Sequence, residues 1–514
     1  MYKIGIDVGG TNTDAVIIDD TKKIVSKTKH LTTDDIVTGV SNVLKTAINQ
    51  VDLDTSLVTH VMLGTTHCTN AFIERKNLNK VAHFRIGAPS AKAIAPLSDW
   101  PKELVLNAAE YIFHVNGGYE FDGRLITQLD EQEIIKILES LKGEVSAISV
   151  TGIFSKINPS QELRFKELAG HVLGEAISVS MSHQIGGLGL LERENATAIN
   201  AALMNIASQM VAGFHDAVSG NGIDANLYVS QNDGSLMSLN QAKNFPVLTI
   251  SSGPTNSLRG ASALSELNDA IVIDVGGTTS DAGILVNSFP RESNKHSYIG
   301  GVRTNFRMPD IISIGVGGGT IIDQSNEDLK VGPTSVGYHL TSKALSFGGD
   351  TLTLTDIALS QKKMNIRGTS GICPNVDEVA PRVEAIVRRQ IEQLIDLLKT
   401  DSNDIPLILV GGGASILPDT FKGVSSIISP AHGEVANAFG VAIASVSGES
   451  ESVVNLNNES REDAIRNITE KARQNAILAG ADSNTISVVN VLDNPLAYLP
   501  NTTKIKVKVI GDLK

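Results

Sequence analysis

The chain has very little cysteine and no long apolar segment. Only Cys68 and Cys373 occur among its 514 residues, so a disulfide framework is excluded and a reducing compartment is expected. No apolar run approaches the roughly 18 residues of a membrane span. The first residues enter a strand pattern at once, which leaves no room for a signal peptide. We therefore expect a cytoplasmic protein that does not associate with membranes.

Basic patches and several common catalytic signatures are also missing. The formal net charge of −13 argues against a nucleic-acid partner. The chain has no P-loop, no complete G-x-G-x-x-G fingerprint and no Gly-x-Ser-x-Gly elbow. No two histidines have the spacing of a helical zinc pair. The remaining composition, 41% hydrophobic and 19% charged, is that of a globular protein long enough for two or three domains.

One ten-residue segment occurs almost twice. Residues 6–15 read Ile-Asp-Val-Gly-Gly-Thr-Asn-Thr-Asp-Ala and residues 273–282 read Ile-Asp-Val-Gly-Gly-Thr-Thr-Ser-Asp-Ala, with eight of ten positions identical. Apolar runs on both sides predict a strand, a tight turn and a second strand. Glycines let the backbone approach an anion, threonine and backbone N–H groups donate to phosphate oxygens, and an aspartate can hold Mg²⁺ through water.

Two such turns predict two related lobes whose phosphate loops face each other, as in ATP-using enzymes of the actin/Hsp70/sugar-kinase architecture. We expect Asp7 and Asp274 to hold Mg²⁺ and to take part in catalysis. Asp281 and Asp310 are weaker candidates for a general base, and Asp14 and Asp281 also suit a structural role. The residues predicted to bind ATP are Gly9, Gly10, Thr11, Asn12, Thr13, Gly276, Gly277, Thr278, Thr279, Gly317, Gly318, Gly411, Gly412 and Gly413.

Two of these glycine-rich loops lie outside the repeat. Residues 411–413 follow an apolar strand pattern, and bare backbone there lets a flat ring or a ribose pack closely. With two phosphate turns present, an adenosine site is favoured over a flexible loop. Residues 315–319 form a similar loop that suits contact with either the phosphates or a substrate.

A threonine-rich turn follows the predicted strand at residues 58–63. Its sequence, Gly-Thr-Thr-His-Cys-Thr-Asn at residues 64–70, precedes a helical run. The helix N-terminus expected there could bind an anion or a polar substrate, or the turn could simply cap the helix. The local sequence favours neither alternative. The predicted substrate residues are Thr65, Thr66, His67 and Asn70. For His67, a hydrogen bond to the backbone is slightly favoured over a role as a ligand.

The pattern along the chain predicts an α/β fold in three parts. Residues 1–190 form a first lobe of alternating strands and helices, and residues 191–445 form a second lobe that begins with a long crossover helix. Residues 446–462 are rich in Ser, Glu and Asn and read as a linker. With the small α+β tail that follows it, this linker forms the third part, residues 446–514.

Several segments in a fixed order resemble the ATP-binding A-type subunit of the hydantoinase/oxoprolinase family. The resemblance implies cleavage of a small cyclic amide coupled to ATP hydrolysis, through phosphorylation of the amide carbonyl oxygen. It also implies Mg²⁺, a homo- or hetero-oligomer, and a separately encoded B-type companion subunit. Related members are carboxylase subunits that act on ketones. The matching segments are residues 6–15, 64–71, 191–195, 231–237, 252–254, 273–282, 314–319 and 411–414.

Two departures from the family pattern bear on the substrate. Asp310-Ile311-Ile312 stands where relatives carry Asp-x-His, and Ser346-Phe347-Gly348 stands where they carry Cys-Tyr-Gly. The missing His and Cys argue against a family-type transition metal and against the usual hydantoin or oxoproline substrate. Two other functions remain open, a small-molecule kinase that releases a stable phosphorylated product and a non-catalytic ATP-dependent switch for a partner.

Overall fold

The structure is a computed structural model that describes most of the chain. Cys373 lies outside the described residues, and so do the side chains of residues 106–108. Within the described part, no helix combines the length and the apolar character that crossing a bilayer demands. The described residues are 1–33, 35–293, 297–304, 308–324, 329–366, 368–369, 376–497 and 499–514.

The largest sheet has nine strands in the order β22-β23-β21-β10-β9-β4-β1-β2-β3. The hairpin strands β1, β2 and β3 are antiparallel, whereas β4 and β9 follow in parallel on the other side of β1. The strands are β1 (Tyr2–Val8), β2 (Asn12–Asp19), β3 (Ile24–Leu31), β4 (Val58–Thr65), β9 (Asn226–Ser230), β10 (Leu236–Ser238), β21 (Val446–Asn455), β22 (Ser487–Pro495) and β23 (Thr502–Gly511).

A second sheet repeats this arrangement. Its main path runs β13-β12-β11-β19-β20, with β16 also paired to β12. Here too a central strand has an antiparallel hairpin on one side and parallel strands on the other. The strands are β11 (Ala270–Val275), β12 (Ser280–Val286), β13 (Phe289–Pro290), β16 (Ile311–Ile314), β19 (Ile405–Val410) and β20 (Val424–Ile428), with two separate hairpins formed by β14 (Ser297–Ile299), β15 (Val302–Thr304), β17 (Thr320–Asp323) and β18 (Lys330–Ser335).

Between β4 and β9 the chain forms a separate four-stranded parallel sheet in the order β6-β5-β7-β8. A fully parallel sheet is buried on both faces, and β5 and β7 are buried along their whole length. The strands are β5 (Val81–Ala88), β6 (Tyr111–Asn116), β7 (Ala147–Gly152) and β8 (Ser178–Met181).

Helices cover the sheets and connect them. The predicted crossover helix is present as α6. Two residues of opposite charge near its start, Arg193 and Glu194, are buried. Arg193 donates to the Gly152 carbonyl at 2.6 Å, and Glu194 pairs with Arg85 and His83. The helices are α1 (Ile36–Asn49), α2 (His67–Glu74), α3 (Lys102–Ala108), α4 (Glu131–Ser140), α5 (Ser160–Leu173), α6 (Leu190–Gly220), α7 (Leu239–Asn244), α8 (Ser252–Ser265), α9 (Leu340–Lys343), α10 (Leu354–Ser360), α11 (Val376–Leu398), α12 (Ala436–Ala442) and α13 (Arg461–Leu478).

Helices α8 and α12 cross at two glycines. A Cβ on Gly260 would lie 2.8 Å from the carbonyl carbon of Ala436, and a Cβ on Gly440 would lie 2.8 Å from that of Asn256. Real Cβ atoms do not approach so closely, so each glycine is required for the contact. The crossing brings α8, which packs on β11 and β12 of the second sheet, against α12, which packs on β1 and β2 of the first.

The predicted linker at residues 446–462 is wrong for most of its length. Residues Val446–Asn455 form β21, which pairs along ten residues with β23. Ion pairs Lys506–Glu449 at 2.5 Å and Lys504–Glu451 at 3.4 Å cross this ladder. The polar residues that resembled a linker are therefore the charged face of a strand, and its other face packs against α13.

Candidate active site

Both copies of the repeat form the predicted strand, turn and strand. Asp7 lies opposite Asp14 in the first hairpin, and Asp274 lies opposite Asp281 in the second. The turns close in the same way, because the Gly9 N–H donates to the Asn12 carbonyl at 3.0 Å and the Gly276 N–H donates to the Thr279 carbonyl at 2.9 Å. A Cβ on the central glycine of either turn would meet nothing within 4 Å. Each turn therefore presents bare backbone.

Thr13 has a different place from the other predicted residues of the first turn. It is fully buried, and its Oγ1 lies 3.2 Å from Thr32 Oγ1. Thr32 in turn donates to the Gly9 carbonyl at 2.8 Å. The side chain thus braces the turn from behind instead of facing a ligand, whereas Thr11 and Asn12 are partly exposed.

The second turn is held from behind by the loop at residues 315–319. The Gly318 N–H donates to the Gly276 carbonyl at 3.0 Å, and the Gly319 N–H donates to the Gly277 carbonyl at 2.7 Å. A Cβ on Gly317 would lie 2.6 Å from the carbonyl carbon of Thr278. Gly317 and Gly318 thus shape the turn, and their direct contact with a nucleotide stays a prediction.

The loop at residues 411–413 also reaches the second turn. Gly411 has a φ of +89°, and a Cβ there would lie 2.8 Å from the Val275 nitrogen and closer still to the Asp274 carboxyl. The Gly413 N–H donates to the Val275 carbonyl at 2.8 Å. Gly412 stays open, with nothing within 4 Å of a Cβ position. The three predicted loops of the second lobe therefore meet around Asp274.

Two buried polar atoms beside Gly64 have no hydrogen-bond partner among the described residues. They are Asp7 Oδ1 and Asn256 Nδ2. A Cβ on Gly64 would lie 2.9 Å from the first and 3.0 Å from the second, so both atoms flank the same glycine. The Asn256 amide is oriented because its Oδ1 accepts from Ser230 Oγ at 2.8 Å. Leaving such atoms unbonded costs free energy, which indicates a site that binds a polar ligand.

Asp274 has a corresponding set of polar neighbours. Burial raises its pKa, while the side chains of Ser257 and Asn437 approach and lower it. Within the described part of the chain, neither Ser257 Oγ nor Asn437 Oδ1 forms a hydrogen bond of normal geometry. These two residues and Asn256 were not predicted from the sequence. The only signal was the Ser-Gly-Pro segment at residues 252–254, which begins α8.

Carboxyl groups from both hairpins meet with little compensating charge. Burial, together with Asp14 and Asp274, raises the pKa of Asp7 to about 8. Burial also raises the pKa of Asp281 to about 6, against the lowering effect of the Ser313 hydroxyl. Lys29 forms an ion pair with Asp14 at 2.9 Å. A divalent cation would relieve this repulsion.

The residues present fit Mg²⁺ with a polyphosphate. Magnesium is usually held by one or two carboxylates, waters and substrate phosphates, and Asp7 and Asp274 supply the carboxylates. The open turns supply backbone N–H groups for phosphate oxygens. Among the described residues no group of three or more His, Cys, Asp or Glu side chains could hold a metal ion.

The threonine-rich turn lies beside the first phosphate turn. The Thr66 N–H donates to the Val8 carbonyl at 3.2 Å, and Asn70 Nδ2 donates to Thr66 Oγ1 at 3.3 Å. Thr65 is buried and accepts from the His67 N–H at 3.1 Å, so it shapes the turn and is not placed to meet a substrate. The start of α8 is attached here, because the Ser251 N–H donates to Thr69 Oγ1 at 3.2 Å.

The backbone hydrogen bond favoured for the His67 side chain does not form. His67 is exposed, and no hydrogen bond to the described residues involves its ring. Cys68 is fully buried, and burial raises the pKa of its thiol to about 11, which makes it a poor nucleophile. The weak candidate base Asp310 is engaged by Arg291 at 2.6 Å.

Comparison with known proteins assigns this arrangement to a family. The profile described as "Hydantoinase/oxoprolinase N-terminal region" matches residues 3–173, and the profile described as "Hydantoinase/oxoprolinase" matches residues 193–365. The chain belongs to the hydantoinase/oxoprolinase family. The resemblance inferred from the ordered segments is thereby confirmed.

Two relatives illustrate the range of this family. The chain is 26% identical to the acetophenone carboxylase gamma subunit of Aromatoleum aromaticum, over 69% of this chain and 52% of that protein. It is 23% identical to caprolactamase subunit alpha of Pseudomonas jessenii, over 70% of this chain and 54% of that protein. The chain thus spans about half the length of either hydantoinase/oxoprolinase relative.

Two solved structures share the fold. The ATP-dependent caprolactamase of Pseudomonas jessenii superposes with a TM-score of 0.77 and 19% identity, over all of this chain and 88% of that one. A nucleotide-free acetone carboxylase superposes with a TM-score of 0.73 and 17% identity, over 99% and 88%. The predicted α/β fold with two related lobes is confirmed.

Proposed function

We propose that the chain is an ATP-dependent subunit that activates a small cyclic amide for hydrolysis by phosphorylating its carbonyl oxygen. The observation that carries the proposal is the pair of hairpins that present Asp7 and Asp274 to one site, with an unbonded, buried carboxylate oxygen on Asp7. Membership of the hydantoinase/oxoprolinase family and a relative named caprolactamase support the choice of amide chemistry.

The residues of the two turns would orient the triphosphate. Backbone N–H groups of residues 9–12 and 276–279 would donate to phosphate oxygens, and Asp7 and Asp274 would hold Mg²⁺ through water. The bound cation supplies neutralisation of the phosphate charge. Residues 411–413 would accept the adenosine, with Gly412 open to it. Phosphoryl transfer depends mainly on such positioning and charge neutralisation.

The reaction overcomes the low reactivity of an amide. The carbonyl oxygen attacks the γ-phosphorus, the bond from that phosphorus to the β–γ bridging oxygen breaks, and ADP leaves. The amide carbon then carries a phosphorylated oxygen and is a much better electrophile. Water can add to it, and the ring C–N bond opens with release of phosphate. No general base for that second step is assigned among this chain's residues.

The substrate would lie next to the threonine-rich turn. Thr66, His67 and Asn70 border it, and α8 begins beside it with the buried Ser252 hydroxyl unbonded. The N-terminal end of a helix favours negative charge, and the transferring phosphoryl group carries such charge. A B-type companion subunit would complete the hydrolysis, since both compared relatives are named as subunits.

Phosphate release by the purified chain with Mg²⁺ and ATP tests this function. A panel of lactams, hydantoins and cyclic imides is supplied, with and without any co-purifying protein, and products are read by mass spectrometry. Stimulation by one ring class with a ring-opened acid supports the proposal. A stable phosphorylated substrate supports a kinase. ATP binding without turnover, together with nucleotide-dependent partner binding, supports a switch.

Two variants connect the activity to the hairpins. Asp7→Ala and Asp274→Ala should each abolish turnover, because each removes a carboxylate from the proposed cation site. Asp122→Ala, at an exposed turn of the inserted parallel sheet, is the matched control. Unchanged ATP affinity and turnover in both site variants would refute the two-loop site.

A further inference from the structure

A cavity of about 480 Å³ lies where three parts of the molecule meet. One wall is the outer edge of the nine-stranded sheet at β22 and β23, a second is the β12–β13 hairpin, and the third is α8. None of the residues assigned to the phosphate turns or the threonine-rich turn lines it. Its volume is in the range of small-molecule sites, so it is a second candidate ligand site.

Arg259 of α8 is the charged group that distinguishes this cavity. Its Nη1 donates to the Gly234 carbonyl, and its guanidinium lies 5.7 Å from the centre of the Phe289 ring. A guanidinium has five N–H donors, and this one forms no other hydrogen bond or ion pair with the described residues. The fold thus holds the cation in place while most of its donors stay unused.

Among the described residues no acidic side chain forms an ion pair with Arg259, although Glu292 lines the same cavity. Asp233 also lines the cavity, but it forms an ion pair with Lys508 at 2.6 Å and accepts from Ser235 Oγ at 2.6 Å. Burial lowers the pKa of Arg259, and Asp233 and Asp512 oppose this only through longer-range attraction. A partly buried cation without a bonded counter-ion favours an incoming anion.

The rest of the lining is mixed, with polar residues such as Ser487 and Asn490 beside a set of apolar ones. Val286, Phe289, Pro290 and Pro309 line one side, and Val488 lines the other. An inorganic anion would accept hydrogen bonds from Arg259 but would leave the apolar side chains of the cavity exposed to water. A ligand with an anionic head and an apolar body would satisfy both parts of the cavity.

We propose that this cavity binds a small organic carboxylate, with the carboxylate on the guanidinium of Arg259 and the apolar body along Phe289 and Val488. A planar carboxylate accepts two parallel hydrogen bonds from a guanidinium. Arg259 is three residues beyond Asn256 on α8, so ligand binding acts on the helix that also borders Asp7. The binding itself does not depend on the chain's proposed reaction.

Calorimetric titration of the full chain tests the proposal. Butyrate, hexanoate, benzoate and glutarate are the probes, and the neutral amide of each is its partner. At least one carboxylate should bind saturably, and its amide should bind at least about tenfold more weakly, because charge-assisted bidentate bonds contribute more than neutral ones. Absence of saturable binding by all four carboxylates, or equal binding of acid and amide, would overturn it.

Two variants place the ligand in the cavity. Arg259→Met should reduce carboxylate affinity at least about tenfold, whereas Arg124→Met, at an exposed turn, should leave it unchanged. Since Arg259→Met also removes the Gly234 contact, Val488→Trp serves as the second variant. Val488 is 49% exposed, so the larger ring can fill the cavity while the guanidinium stays. Wild-type affinity in either cavity variant contradicts the assignment.

Discussion

At the scale of single residues, the site is defined by polar atoms that are buried without partners. Asp7 has its pKa raised to about 8 from an ordinary 3.8, so the folded chain binds a proton that the unfolded chain has released. Its contribution to stability is full below pH 4 and is lost as pH rises towards 8, with an upper limit of about 1.4 kcal/mol per pH unit.

Replacing this carboxyl should change the pH dependence of folding. Asp7→Asn removes the titrating group, so its free energy of unfolding should rise relative to the wild type from pH 5 to pH 8. Urea unfolding without Mg²⁺ or nucleotide measures this, with the exposed Asp122→Asn as control. Parallel pH profiles for the wild type and Asp7→Asn would show that Asp7 is ionised in the folded protein.

Asn256 offers a second test at the residue scale. Its Nδ2 is buried and unbonded, so it is free to donate a hydrogen bond to a phosphate oxygen or to a water held by Asp7. Asn256→Ala should weaken ATP affinity by about fivefold to a hundredfold, equivalent to 1–3 kcal/mol. Ser230→Ala, which only frees the amide to rotate, should have a smaller effect. Equal ATP affinity in the wild type and Asn256→Ala would remove this residue from the site.

These residues differ in how well the sequence could predict them. Asp7 and Asp274 were identifiable because they occupy the same position in two nearly identical segments. Such a repeat indicates that both aspartates have the same role. Asn256 and Asn437 were not, because no local pattern distinguishes them from other helical amides. Only the crossing of α8 and α12 brings them to the aspartates. Thr65 is buried and accepts from the His67 N–H, and a capping hydroxyl and a substrate contact look alike in sequence.

At the scale of elements, the crossing of α8 and α12 connects the two hairpin systems. Gly260→Ala and Gly440→Ala each set a methyl group against a backbone carbonyl of the other helix. Each should lower the free energy of unfolding by at least about 2 kcal/mol, because backbone must shift to admit the group, and each should weaken ATP binding. Denaturant unfolding and nucleotide titration measure both effects.

A helix-end glycine gives the matched control for the crossing. Gly220 ends α6, and a Cβ there meets nothing within 4 Å. Gly220→Ala should be neutral or stabilise by up to about 1 kcal/mol through helix propensity. If Gly260→Ala and Gly440→Ala behave like Gly220→Ala, the close approach of the helices does not exist in solution.

The element boundaries show where local patterns suffice. The start of α6 agrees with the crossover helix that the sequence predicts at residue 191. Strand β21 was missed because Ser, Glu and Asn dominate it. What makes it a strand is non-local, namely its pairing with β23 and the close packing of Gly448 against Ala476 of α13.

At the scale of the whole molecule, the duplication inferred from ten residues extends to the sheets. Both have an antiparallel hairpin on one side of a central strand and parallel strands on the other. The sequence could not predict that the first sheet continues through β10 into β21, β22 and β23. Pairing between strands that are far apart in the sequence produces no recognisable pattern in the local sequence of either strand.

The meeting of carboxyl groups from both hairpins predicts a response of the whole molecule to nucleotide. Without a cation, burial and the charges of Asp14 and Asp274 raise the pKa of Asp7 to about 8, because ionising Asp7 sets its negative charge against that of Asp274 in the other hairpin. Mg²⁺ with a non-hydrolysable ATP analogue would neutralise this charge and bridge both turns. We expect a smaller radius of gyration by X-ray scattering and a higher unfolding temperature than with the analogue alone.

Asp274→Ala distinguishes bridging from simple binding. This variant keeps the first turn and Asp7, so it can still hold part of the triphosphate, but it loses the carboxylate of the second lobe. Its radius of gyration should therefore stay near the apo value at saturating Mg²⁺ and analogue. Compaction equal to that of the wild type would mean that one lobe alone binds the nucleotide, and the second hairpin would then be a structural relic of the duplication.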